Sequence, residues 1–103
     1  MNTDSETCQR TVQPPRRVRS DGEAIAANQQ RAGLLIRNAG DATAYLRIGP
    51  ETTSDLTPET AMMELPPGSH LDRSDPIWPP TERVEVVFQG SSPRLIITEW
   101  IHA

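Results

Sequence analysis

A chain of 103 residues, 35% hydrophobic and 4% aromatic, has material for one domain with a single core and little area left for a deep catalytic cleft. Its net charge of −4 argues against a basic nucleic-acid-binding body, and no apolar run reaches the ~18 residues of a membrane span. The lone cysteine, Cys8, excludes an intrachain disulfide framework and fits an unpaired thiol in reducing surroundings.

Residues 1–22 read as an extended or flexible N-terminal arm. They are polar, contain Pro14-Pro15, and end at the turn signal Ser20-Asp21-Gly22. Asp4 and Glu6 face Arg10, Arg16, Arg17 and Arg19 in residues 1–20, whereas the rest of the chain sets twelve acids against six arginines. The arm is therefore the basic part of an acidic chain. Its first residues lack the basic and apolar regions of a signal peptide, so a soluble protein that works or is assembled inside a cell is expected.

Residues 23–103 read as a β-body. Glu23 to Ala27 suits a short strand closed by the turn Asn28-Gln29-Gln30-Arg31. Ala32 to Arg37 follows as a strand with Leu34 and Ile36 on one face, and Leu35 on the other suggests cover on both sides. Thr43 to Ile48 alternates Ala44, Leu46 and Ile48 with Thr43, Tyr45 and Arg47, the period of a half-buried strand. The link between them predicts an antiparallel hairpin, with Gly40 able to take a positive φ.

Pro50 to Thr60 reads as a polar loop and Met62 to Leu65 as a brief strand ended by Pro66-Pro67-Gly68. Ser69 to Pro80 reads as irregular, anchored by Ile77 and Trp78. Arg83 to Gln89 alternates again, with Val84, Val86 and Phe88 inward. After the turn Gly90-Ser91-Ser92-Pro93, Arg94 to Ile101 forms a last strand, with Leu95, Ile97 and Ile101 on one face and Ile96, Thr98 and Trp100 on the other. Ten prolines and the absence of a sustained 3.6-residue apolar period argue against long helices. The expected fold is all-β: a small antiparallel β-sandwich or partly closed, jelly-roll-like barrel with an extended N-terminal arm.

Candidate chemistry is sparse. Ser69, His70 and Asp72 include the residue types of a hydrolase triad, but they crowd one loop without a nucleophile elbow, so surface polarity is the better account. His70 and His102 are the only histidines, and no CxxC or HxxxH spacing exists; no metal site, cofactor or catalytic residue is expected. Few aromatics are present to stack a sugar. Partner contact is expected instead at Arg10, Arg16, Arg17 and Arg19, whose planar forks suit carboxylates, and at Trp78 and Trp100, a residue type enriched at interfaces.

The run Asn28-Gln29-Gln30-Arg31-Ala32-Gly33-Leu34-Leu35-Ile36-Arg37-Asn38, then Ala44-Tyr45-Leu46-Arg47-Ile48-Gly49, resembles a pattern of small tailed-phage virion proteins, in which N-x-x-R-x-x-L-x-I-x-N leads into a strand ending in Gly. Thr52-Thr53-Ser54, Leu65-Pro66-Pro67-Gly68 and Leu95 to Trp100 extend the resemblance across about residues 24–101. The second proline of Pro66-Pro67, the long 50–60 loop and the Arg-rich arm lie outside that common pattern. The resemblance implies a non-enzymatic β-sandwich head decoration (cement) protein on the capsid exterior, assembled in the bacterial host cytoplasm. Its partners would be the major capsid protein and further copies of itself, a trimer ahead of a dimer, with neither membrane nor nucleic acid bound. The alternative is a neck, tail or fibre accessory protein that binds a receptor or sugar.

Overall fold

The computed structural model describes residues 10–49, 56–74 and 80–102. Nine strands run through them: β1 (Arg10–Val12), β2 (Arg16–Val18), β3 (Gly22–Ile25), β4 (Arg31–Asn38), β5 (Thr43–Ile48), β6 (Met63–Leu65), β7 (His70–Arg73), β8 (Val84–Gln89) and β9 (Leu95–His102). They form two antiparallel sheets. The first has the order β1-β9-β4-β7, with β2 also on β9, and the second has the order β3-β8-β5-β6. The sheets pack as a sandwich and do not close into a barrel.

Alternation decides what lies between the sheets. Leu34, Ile36, Leu95 and Ile97 of the first sheet meet Ala24, Ala44, Leu46, Val84 and Val86 of the second, each at most 1% exposed. Each large aliphatic removed from water in this way contributes roughly 1.5–3 kcal/mol.

The expected hairpin from β4 to β5 does not form. β4 pairs with β9 and β7, while β5 pairs with β8 and β6. The Ala39–Ala42 link is instead a crossing from one sheet to the other, and the Gly90–Arg94 link makes the return crossing from β8 to β9. Both strands of each link carry strong inward faces, and stacking those faces across the sandwich buries more apolar area than laying them side by side.

Gly40 has a different role from the one expected. The positive-φ glycines are Gly22, Gly68 and Gly90. At Gly40 a Cβ would lie 2.5 Å from Arg94 N and inside contact distance of Ser92 O, so the residue is small because two backbones meet there.

Two further differences concern the edges. His70–Arg73, expected as irregular, is strand β7 on the open edge of β4, with only Leu71 of its four residues packed on the core. Residues 10–18 of the expected arm are extended, but they are hydrogen-bonded into the body along β9. Pro14 and Pro15 supply no N–H and interrupt this edge, a position where proline is tolerated. Val18 beyond them is buried. The pairing completes the edge of an eight-residue strand that would otherwise expose its backbone groups.

Polar residues at the two ends of β4 fix the loops. Arg31 is 1% exposed and donates to Glu99 Oε2 at 2.7 Å, to Pro80 O and Glu82 O at 2.8 and 2.9 Å, and to Ala26 O at 2.6 Å. Asn28 adds a bond to the same Glu99 oxygen. At the other end, buried Asn38 donates to Ala42 O and Leu65 O and accepts from Gly40 N–H. Arg31 and Asn38 of the N-x-x-R-x-x-L-x-I-x-N run are thus structural: each ties backbone of other segments to one strand.

Candidate partner-binding face

The outer face of the first sheet follows from the same register that builds the core. With Leu34 and Ile36 inward, Gly33, Leu35 and Arg37 of β4 turn outward, as do Ile96, Thr98 and Trp100 of β9. Cross-strand pairing sets them in rows. Arg17, Ile96, Arg37 and His70 form one row, Thr98, Leu35 and Asp72 the next, and Val12, Trp100 and Gly33 a third. Leu35, Ile96 and Trp100 are half-buried in the isolated chain, and Val12 is 54% exposed.

Arg10 crosses this face. Its Cζ lies 5.0 Å from the centroid of the Trp100 ring, and its Nη1 donates to Ser74 O at the end of β7. Glycine at position 33 keeps the path open, because a Cβ there would lie 2.9 Å from Arg10 Nη1, 2.7 Å from Ser74 O and 3.1 Å from Trp100 Cε3. The guanidinium is therefore held flat over the indole, an arrangement worth about 0.5–2 kcal/mol, and it joins the basic edge of the sheet to its far edge.

Ser74 is itself placed by Asp72, whose Oδ1 accepts from Ser74 Oγ at 2.6 Å and from Ser74 N–H at 2.9 Å. Those two bonds, the hydroxyl first, hold the Asp72 carboxyl below its ordinary value, with smaller help from the charges of His70 and Arg73. Asp72 is the only carboxylate in the rows of this face; Arg10, Arg17 and Arg37 surround the apolar strip, and none has an ion pair among the described residues.

Of the residues expected to contact partners, the structure brings Arg10 and Trp100 together and sets Arg17 on the same face. Arg16, opposite Ile97, turns to the inner side and lines a cleft with Gln13, Pro14, Pro15, Ile25 and Glu99. Arg19 lies past β2 at the end of the sandwich. Trp78 lies outside the described residues. Sequence reasoning missed Leu35, Ile96 and Arg37 as members of the face, although the grouping of Ile96, Thr98 and Trp100, one residue in each of the three rows, was the signal that could have found it.

The Ser69–Asp72 segment does not assemble a relay. The Ser69 hydroxyl donates to Pro66 O at 2.6 Å, and Asp72 accepts from Ser74. His70 is on the outer face beside Arg37. Among the described residues no group of three His, Cys, Asp or Glu side chains could hold a metal ion, and no helix is long and apolar enough to cross a membrane. The chain matches no family model, no curated protein sequence and no solved structure.

Proposed function

We propose that this chain is a non-enzymatic virion protein that binds and stabilises an assembled phage capsid as a decoration protein, docking through the outer face of the β9 sheet. The observation that carries the reading is the combination on that face: an apolar strip of Val12, Leu35, Ile96 and Trp100 set among Arg10, Arg17 and Arg37 on a chain that is acidic as a whole. Apolar area with arginine and tryptophan at its centre is the composition of a protein interface, and the cations select an acidic partner surface. Phage virion membership rests on the sequence pattern from Asn28 to Gly49.

Co-sedimentation with capsid shells lacking this chain tests the proposal. Wild-type protein is expected to load on the order of hundreds of copies per shell, as lattice symmetry demands, whereas about a dozen copies would move it to the neck or tail. Leu35→Glu combined with Arg37→Glu should abolish loading while leaving the far-ultraviolet circular dichroism unchanged. Loading of that variant at wild-type level overturns the docking face. Point substitutions are the clean probe, because deleting the arm would also remove buried Val18 and expose the β9 edge.

A further inference from the structure

The end of the sandwich where the two sheet crossings lie carries a separate feature. The crossings stack on each other: Ala39 N–H donates to Arg94 O at 2.9 Å and Asp41 N–H to Ser92 O at 3.0 Å. Gly40 permits this approach, and Ser92 sits in the left-handed region with φ of 57°, an uncommon conformation for a residue with a side chain. The stacked backbones form one wall of an open cleft of about 390 Å³, and Arg19, from the β2–β3 link, lines it as well.

Arg19 and Arg94 both line the cleft, as do Ser92 and Asp41. Neither arginine has an ion pair among the described residues. Arg94 Nη2 donates to Ala39 O at 3.3 Å, which holds one guanidinium against the wall and leaves its other N–H groups available.

We propose that this cleft binds a single carboxylate presented by a partner protein, as an acidic side chain or a chain terminus. Two arginines against Asp41 leave one net positive charge, which a carboxylate neutralises and a phosphate dianion would exceed beside Asp41. Two planar guanidinium forks also match the geometry of a carboxylate. The backbone wall is fixed beforehand by the crossing bonds, so binding orders little more than the Arg19 side chain. The site stands on its own residues and does not depend on the capsid assignment.

The test is an amide-resolved NMR titration of the full chain at constant ionic strength. The probes are an acetylated, amidated glutamate peptide, an acetylated dialanine with a free C-terminus, inorganic phosphate and sodium chloride. Saturable shifts confined to Gly40, Asp41, Ser92 and Arg94 are expected with at least one carboxylate peptide; the better peptide identifies side chain or terminus as the source. Arg19→Gln and Arg94→Gln should each weaken that binding about tenfold, the loss of one charge-assisted pair, and Asp41→Asn should tighten it. Equal shifts with chloride, tighter binding of phosphate than of either peptide, or unchanged affinity in both arginine variants would overturn the proposal.

Discussion

The two outer faces of the sandwich share one strand periodicity and end in opposite states. On the second sheet, Glu23 lies directly opposite Glu85, a repulsive pairing by itself. Arg83 bridges them, with Nε 3.0 Å from Glu23 and Nη1 3.1 Å from Glu85, and Arg47 closes on Glu85 at 2.8 Å. Tyr45 completes that face with a hydrogen bond to Gln89. On the first sheet, Arg17 and Arg37 flank Ile96 and Leu35 with no acid to meet them in the described chain beyond Asp72. One face consumes its charges internally. The other leaves Arg10, Arg17 and Arg37 without ion pairs among the described residues, beside apolar area. Charge count alone does not distinguish a partner surface from a structural one; the distinction lies in whether the charges are already paired.

Breaking the paired face should cost stability without touching binding. Glu85→Ala leaves Arg47 and Arg83 facing each other in a half-buried setting, and is expected to lower the unfolding free energy by about 2–3 kcal/mol, the range for a lost hydrogen bond to a charged group. Urea denaturation measures the loss, and shell loading of the folded fraction should stay at the wild-type level.

Gly33→Ala probes the open face next. Its Cβ must displace Arg10, Trp100 or the Ser74 carbonyl, an overpacking cost of about 1–3 kcal/mol. The Trp100 indole resonance should move as Arg10 is pushed off the ring.

Acid should act on the paired face first. Burial raises the Glu85 carboxyl, but the hydrogen bonds and charges of Arg47 and Arg83 outweigh it, and the net position is below the ordinary glutamate value of 4.5. A group lowered in the folded state contributes stability above its unfolded pKa and loses it as pH falls through the folded one. The stability gap between wild type and Glu85→Gln should therefore be constant above about pH 5 and shrink steadily below 4.5. A gap that widens in acid would contradict the pairing.

The smallest expected effects separate binding from folding on the open face. Arg10→Ala should cost about 0.5–2 kcal/mol, the range of a part-buried cation–π contact. Arg17→Ala should change stability by less than about 0.5 kcal/mol, yet weaken attachment to shells with a marked salt dependence. An Arg17 variant that loads like wild type at low salt would remove that residue from the interface.

Much of this molecule is legible in the sequence because β-strand burial has a period of two. The alternations in Thr43–Ile48, Val84–Gln89 and Leu95–Ile101 correctly assign Leu46, Val84, Val86, Leu95 and Ile97 to the core, and Leu34 and Ile36 fall in with them. The open face was half legible: alternation along β9 sets Ile96, Thr98 and Trp100 on one side, whereas Leu35 and Arg37 join them only through pairing with β9. Arg31 reads as a turn residue and is among the most buried side chains in the chain. Four acceptors make that burial tolerable, and three of them, on Glu99, Pro80 and Glu82, lie far outside any local window.

The sequence by itself determined which residues face inward, where the chain turns, and that strands rather than helices would form. Those are properties of short windows, governed by alternation, proline and backbone sterics. Only the tertiary structure decided which sheet each strand joined. Links such as Ala39–Ala42 serve a hairpin or a crossing equally well, and the choice depends on total area buried between faces far apart in the chain. The same long-range choice set Arg10 over Trp100, paired Glu85 with two arginines, and left Arg17 and Arg37 without ion pairs among the described residues.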